Sequence, residues 1–227
     1  MEESVMKYVV LDLEMNDVSE SYKKACRLCG KETIEIGAVL LDEKYREIGS
    51  FVTLVKPEFN TRIEKRYEKL TGIKTDMIET APGFCDSLNM FFSWCNSVQD
   101  KIQIIQWSEN DYIQISREIK LKSCMLTKEN EMYISEEWLD FQKEYGRTLG
   151  VDRNISLKDA VMFAGEEFLG HQHDALIDAR NTAKLLEIVR NEKKCNQALK
   201  NVMEALRPKE EFSMKDFFDF SSLGVFI

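Results

Sequence analysis

Proline is scarce in this chain, 3 residues in 227, and so are the marks of a membrane, exported or disordered protein. No apolar run approaches the roughly 20 residues needed to cross a bilayer. The opening Met1-Glu2-Glu3-Ser4 lacks the basic start and apolar core of a signal peptide, so a cytoplasmic location with no membrane partner is the expectation. There is no Gly/Pro/Ser linker, no internal repeat and no low-complexity segment. Basic residues are also short: 31 Lys and Arg stand against 40 Asp and Glu, for a net charge of -9. A passive nucleic-acid coat would be basic, whereas an enzyme whose metal ions offset charge at one cleft need not be. Six cysteines without an export signal do not suggest a disulfide framework. Cys26 and Cys29 form a C-x-x-C, but no second such pair and no nearby His pair completes a zinc site, so a solvent-facing loop is expected there.

What is present is ordinary globular material, 44% hydrophobic and 31% charged, long enough for one sizeable α/β domain. Tyr8 to Met15 reads as a buried strand, followed by a polar loop from Asn16 to Glu32. Thr33–Leu41 and Ile48–Val55 read as an antiparallel hairpin turning at Asp42-Glu43-Lys44 and ended by Pro57. From Thr61 the period becomes helical, with Ile63, Tyr67 and Leu70 on one face and Thr71-Gly72 as the stop. A further turn spans Thr75 to Thr80, and Phe84, Leu88, Phe91, Phe92 and Cys95 make the stripe of another helix. Lys101–Trp107 is a fourth strand, and Ser108 to Asp111 opens a helix through Ile119. Trp138 to Phe141 is a short strand followed by a helical turn closing at Gly146, and a helix starts at Ser156. The most regular helix follows the Gly170–Asp174 loop, and a last one spans about Gln197 to Leu206. Strands, helices, a further strand and more helices argue one mixed-sheet α/β domain.

Two acids interrupt the first strand. Alternate residues of a strand share a face, so Asp12 and Glu14 point the same way at the end of an apolar run. Two carboxylates so close repel and are costly to desolvate, and a divalent cation between them resolves both problems. Asp111 sits where the fourth strand gives way to a helix, and His173 and Asp178 flank the start of the regular helix. Functional groups gather at the carboxyl ends of strands in α/β sheets, which suits Asp12, Glu14 and Asp111. Asp174 reads as a helix N-cap or first-turn acid, and Trp94, Trp107, Phe91 and Phe92 read as core.

Asp12-Leu13-Glu14, Trp107-Ser108-Glu109-Asn110-Asp111 and His173-Asp174-Ala175-Leu176-Ile177-Asp178-Ala179-Arg180-Asn181-Thr182-Ala183 resemble the three motifs of the DEDDh exonucleases, also called DnaQ-like. Glu35-Ile36-Gly37-Ala38 resembles the family's second strand, and Leu70-Thr71-Gly72-Ile73 a segment beside the terminal nucleotide. The pattern is most similar to the Eri-like and KapD-like branch. Ser108, where the family usually has Gly, and Met15, where it has Thr or a small residue, depart from the pattern. The resemblance implies an RNase H-like fold, a central mixed five-stranded sheet flanked by helices. It implies an exonuclease domain over residues 1–190, with 191–227 a C-terminal helix and Phe-rich tail packing on it. It further implies two Mg²⁺ or Mn²⁺ ions held by Asp12, Glu14, Asp111 and Asp178, with His173 as general base. Met15, Leu70 and Thr71 would border the substrate, a single-stranded nucleic acid with a free 3′ end, RNA favoured over DNA. The alternative is a catalytically silent nucleic-acid-binding or regulatory protein on the same fold; none of the five motif positions is substituted.

Overall fold

In a computed structural model, residues 5–150 and 154–206 are described. The elements in chain order are β1 (Met6–Asp17), α1 (Lys23–Leu28), β2 (Lys31–Leu41), β3 (Glu47–Leu54), α2 (Lys65–Thr71), α3 (Thr75–Ile78) and α4 (Phe84–Asn96). They continue with β4 (Lys101–Gln106), α5 (Asn110–Lys122), α6 (Lys128–Ser135), β5 (Leu139–Asp140), α7 (Phe141–Leu149), α8 (Leu157–Phe163), α9 (Ala175–Arg190) and α10 (Glu192–Leu206). The strands form one five-stranded sheet in the order β3-β2-β1-β4-β5. β1 lies at its centre, antiparallel to β2 and parallel to β4. The expected mixed sheet and the β2–β3 hairpin are both present.

Period-two alternation along β1 divides the core into two layers. Val10 faces the layer built with α7, α8 and α9, through Tyr145, Val161 and Leu185. Val9, Leu11 and Leu13 face the other, with Phe84, Leu88, Phe91 and Phe92 of α4. Trp107 belongs to the first layer and Trp94 packs against the second, as core aromatics. The last helix packs its buried Ala198 and Val202 inward, and Val202 joins the first layer. The Phe-rich tail expected to pack on the domain lies outside the described residues.

Several expectations are corrected. The segment from Asn16 to Glu32 is not a loop: β1 continues to Asp17, α1 follows, and β2 begins at Lys31. Its polar residues are consumed internally. Buried Asn16 donates to the Arg62 carbonyl at 3.0 Å and accepts from the Glu64 N–H at 3.1 Å. Buried Glu32 accepts from the N–H groups of Glu58, Phe59 and Asn60. Cys29 is buried rather than solvent-facing, its thiol against the Lys31 carbonyl. Cys85 and Cys124 form a disulfide with Cα atoms 5.3 Å apart, where none was expected. Their separation of 39 positions conceals that α4 and α5 lie side by side on one layer. α6 escapes notice in the sequence because only Asn130 of its residues is buried, so it carries no apolar stripe; the Thr127 hydroxyl caps it instead. α7 runs through Gly146 to Leu149. No helix among the described residues is long and apolar enough to cross a membrane.

Candidate metal centre

The β1–β4 pairing ends at Leu11 and Gln106, so Asp12 and Glu14 project beyond the carboxyl end of their parallel neighbour. Asp111 enters from the first turn of α5, and the Leu13 backbone N–H hydrogen-bonds to its carboxylate. Asp178 enters from the first turn of α9, whose N-cap is Asp174, accepting from the Ile177 N–H at 3.0 Å. That cap matches the sequence expectation, since a carboxylate there satisfies an orphan donor and complements the helix dipole.

The approach of α9 depends on one glycine. Gly37 pairs with Asp12 across β1 and β2. A Cβ placed on Gly37 would lie 2.7 Å from the Leu176 Cα and collide with the backbone of Ala175 and Leu176. Only a residue without Cβ lets the start of α9 lie on the strand at that point. Glu35, opposite Glu14 on β2, accepts the Ala175 N–H at 3.1 Å and ties the same helix start to the sheet. Glu35 was not singled out as a functional residue. In the sequence it is one acid in an apolar strand, and only the docking of α9 shows what it meets.

The five predicted residues converge. Ligand atoms of Glu14, His173 and Asp178 all lie within 4.8 Å of one another, with His173 Nδ1 3.9 Å from Glu14 Oε1. The His173 backbone, in the left-handed region at φ 65°, turns its N–H to Asp178 Oδ2 at 3.1 Å. Asp12 is within electrostatic range of Asp111, Asp178 and Glu14. Burial dominates the electrostatics. It raises Asp12 well above the usual carboxylate range, and the charges of Asp111, Asp178 and Glu14 add to the shift. Glu14 is pushed up to about 8 by burial and then by Asp178 and Glu35. Burial lifts Asp111 to about 7 against the pull of backbone N–H groups, and Asp178 to about 6 against the His173 N–H. His173 moves the other way: burial and then the charge of His171 lower its pKa.

The side-chain set suits a hard divalent cation, which takes carboxylate oxygens. Asp178 Oδ1 is buried with no hydrogen-bond partner among the described residues, an orphan acceptor. Four carboxylates that no side-chain cation neutralises, one of them with an orphaned oxygen, fit such an ion.

The three residues expected to border a substrate are placed differently from one another. Met15 follows a bulge in β1 and packs half-buried against the α4 layer, with Leu13 rather than with Asp12 and Glu14. The Thr71 hydroxyl is occupied at the end of α2, donating to the Tyr67 carbonyl and accepting from the Ile73 N–H. Leu70 is exposed and lines a cleft of about 500 Å³ together with His173.

A mixed sheet thus presents acids at the carboxyl end of its central strand, with an acidic helix laid across it. Residues 9–186 match the family described as RNase_T, Exonuclease, and the chain belongs to that exonuclease family. ERI1 exoribonuclease 2 of Danio rerio is 28% identical over 173 residues, which cover 70% of this chain and 31% of that protein. Its namesake in Mus musculus is 27% identical over 198 residues, covering 78% of this chain and 28% of the relative. The chain thus spans less than a third of the length of these curated relatives. The nuclease domain of 3′hExo, a DEDDh family member bound to rAMP, superposes with a TM-score of 0.69 at 20% identity, covering 84% of this chain and 94% of that one. The fold is accordingly RNase H-like.

Proposed function

We propose that this chain is a metal-dependent 3′-5′ exonuclease. It hydrolyses the terminal phosphodiester of single-stranded nucleic acid, RNA in preference to DNA, and releases nucleoside 5′-monophosphates. The observation that carries this reading is the convergence of Asp12, Glu14, Asp111 and Asp178 with His173 beyond the end of β1. The preference for RNA draws on relatives whose name is exoribonuclease.

In this reading Asp12, Glu14, Asp111 and Asp178 would hold two Mg²⁺ or Mn²⁺ ions. Bound there, the pair supplies an activated water and charge for the leaving oxygen. The chain's own residues do the rest. His173, kept neutral by burial and by His171, accepts a proton on a ring nitrogen at neutral pH. Its left-handed backbone and the N–H bond to Asp178 hold the imidazole beside the acids. Glu35 holds the start of α9, and through it Asp178, in register with β1.

The test is incubation of 3′-labelled single-stranded RNA and DNA with the protein in Mg²⁺, in Mn²⁺ and in chelator. Mononucleotide release that needs the metal and is faster on RNA is the expected result. No metal-dependent release from either polymer would sink the enzyme reading in favour of a silent binding protein. His173→Ala is expected to slow release by roughly 10²–10⁴-fold, the usual contribution of a general base.

A further inference from the structure

A polyanion must approach a chain with net charge -9 and an acidic centre. Metal ions offset charge at the scissile phosphate only, and the flanking phosphates need cations of their own. Four clefts among the described residues each contain at least one Asp or Glu in their walls. One further cleft contains none. It holds about 500 Å³ and opens off His173, with Lys69 from α2, Lys158 from α8 and His171 from the loop before α9. Lys69 and Lys158 are exposed and form no ion pair among the described residues. Five other lysines, Lys7, Lys122, Lys143, Lys184 and Lys194, are committed to carboxylates. Two unpaired ammonium groups thus face one cavity from two separate elements, beside the catalytic centre, with no acid between them.

The remaining walls suit a nucleotide. Leu70 and half-buried Phe168 offer apolar surface, which base faces use for stacking. Gly170 carries the backbone through φ 58°, where the Ile177 side chain sits 3.2 Å from any added Cβ, so the loop carrying His171 and His173 turns closely over α9. The volume lies in the range of about 300–1,000 Å³ typical of small-ligand sites.

We infer that this cleft is a phosphate subsite for the substrate strand, in which Lys69 and Lys158 neutralise phosphodiesters next to the one being cut. The inference rests on the nuclease reading of the neighbouring acids. It assigns the cleft to the nucleic-acid backbone, which both lysines read by charge and not by sequence.

The test measures binding of a fluorescent single-stranded oligoribonucleotide to the full chain in Ca²⁺, across a series of salt concentrations. The variants are Lys69→Gln/Lys158→Gln and, as a charge-matched control on exposed lysines elsewhere, Lys128→Gln/Lys200→Gln. Each phosphate neutralised on a single strand contributes about 0.7 to the slope of log K against log salt. The cleft variant is expected to lose about 1.4 of that slope and to bind at least tenfold more weakly at low salt, while the control keeps both. Equal slopes in wild type and cleft variant, or equal losses in cleft variant and control, would overturn the subsite. Mononucleotide release is followed in parallel in Mg²⁺. Wild type that binds with the expected slope but releases nothing removes the nuclease reading and leaves the subsite standing. Wild type that releases mononucleotides while the cleft variant binds as tightly as wild type removes the subsite and leaves the nuclease.

Discussion

Two groups of buried acids lie in this molecule, and they are treated in opposite ways. Glu32 and Glu118, both fully buried, share Lys122, whose ammonium is 2.9 Å from one and 2.8 Å from the other. Their remaining oxygens take the N–H groups of residues 58–60 and the Thr33 N–H and hydroxyl. Burial pushes Lys122 down, but Glu118 and Glu32 outweigh it and hold its pKa above the usual value. At the candidate metal centre, Asp12, Glu14, Asp111 and Asp178 form no ion pair with a lysine or arginine among the described residues. All four are raised, by burial first. Buried charge is costly unless it is paired. Where the chain supplies the partner, the acids tie β2, α5 and the 58–60 segment together. Where it withholds one, the acids stay strained until something from outside arrives. The absent partner sets the candidate site apart from the buried ion-pair knot.

Four substitutions or conditions would break or sharpen that contrast. Asp178→Ala removes a ligand with an otherwise unpaired oxygen, and mononucleotide release is expected to fall to background while the fold, followed by circular dichroism, persists. Retained turnover would place the centre elsewhere. Lys122→Met does the reverse: it strands two buried carboxylates, which typically costs about 3–5 kcal/mol. Thermal melting is expected to show a Tm lower by about 10 °C, given about 2–4 °C per kcal/mol in a chain of this size. An unchanged Tm would mean that the lysine is dispensable to the knot. Gly37→Ala sets a methyl against the α9 backbone, an overpacking that usually costs about 1–3 kcal/mol. Because that helix carries Asp178, turnover should drop by more than the stability loss explains; equal turnover in the folded fraction would separate the glycine from the site.

The smallest effect is one of pH. Asp178, Asp111 and Glu14 stand at about 6, 7 and 8, above an unfolded value of about 4. The folded chain therefore binds these protons more tightly than the unfolded chain does. Their stabilisation is complete below about 4 and is lost as pH rises from there through the folded values, between about 4 and 8. In chelator, Tm is expected to decline over that window, less steeply in Asp178→Asn, and saturating Mg²⁺ should remove the decline in wild type. Parallel profiles for wild type and Asp178→Asn would refute this account of the acids.

Much of this was legible along the chain because it depends on local rules. Hydrophobic period and turn chemistry marked β1 to β4, α4, α5 and α9, and the Gly72 stop of α2, with φ 76°, was readable as a glycine at a helix end. The five acid and His positions were readable from motif spacing. What escaped notice has a common character. α6 has no apolar stripe, and the polar run after β1 looked like a loop because its buried partners, residues 58–64, lie far along the chain. Met15 adjoins Glu14 in sequence, yet it packs in the α4 layer.

The sequence by itself determined that an apolar strand carries two same-face acids and that a small-residue helix carries His173 and Asp178 near its start. Strand alternation and helix period are local, so no fold is needed to read them. Tertiary structure alone decided which acids share a cation and which do not. Glu32 on β2 and Glu118 on α5 are, like Asp12 on β1 and Asp178 on α9, acids carried by a strand and a helix. Only the packing of α5 against β2, and of α9 across Gly37, gave the first pair a lysine and left the second without one. Desolvation and pairing depend on what surrounds a charge in space, and that is settled only when distant segments meet.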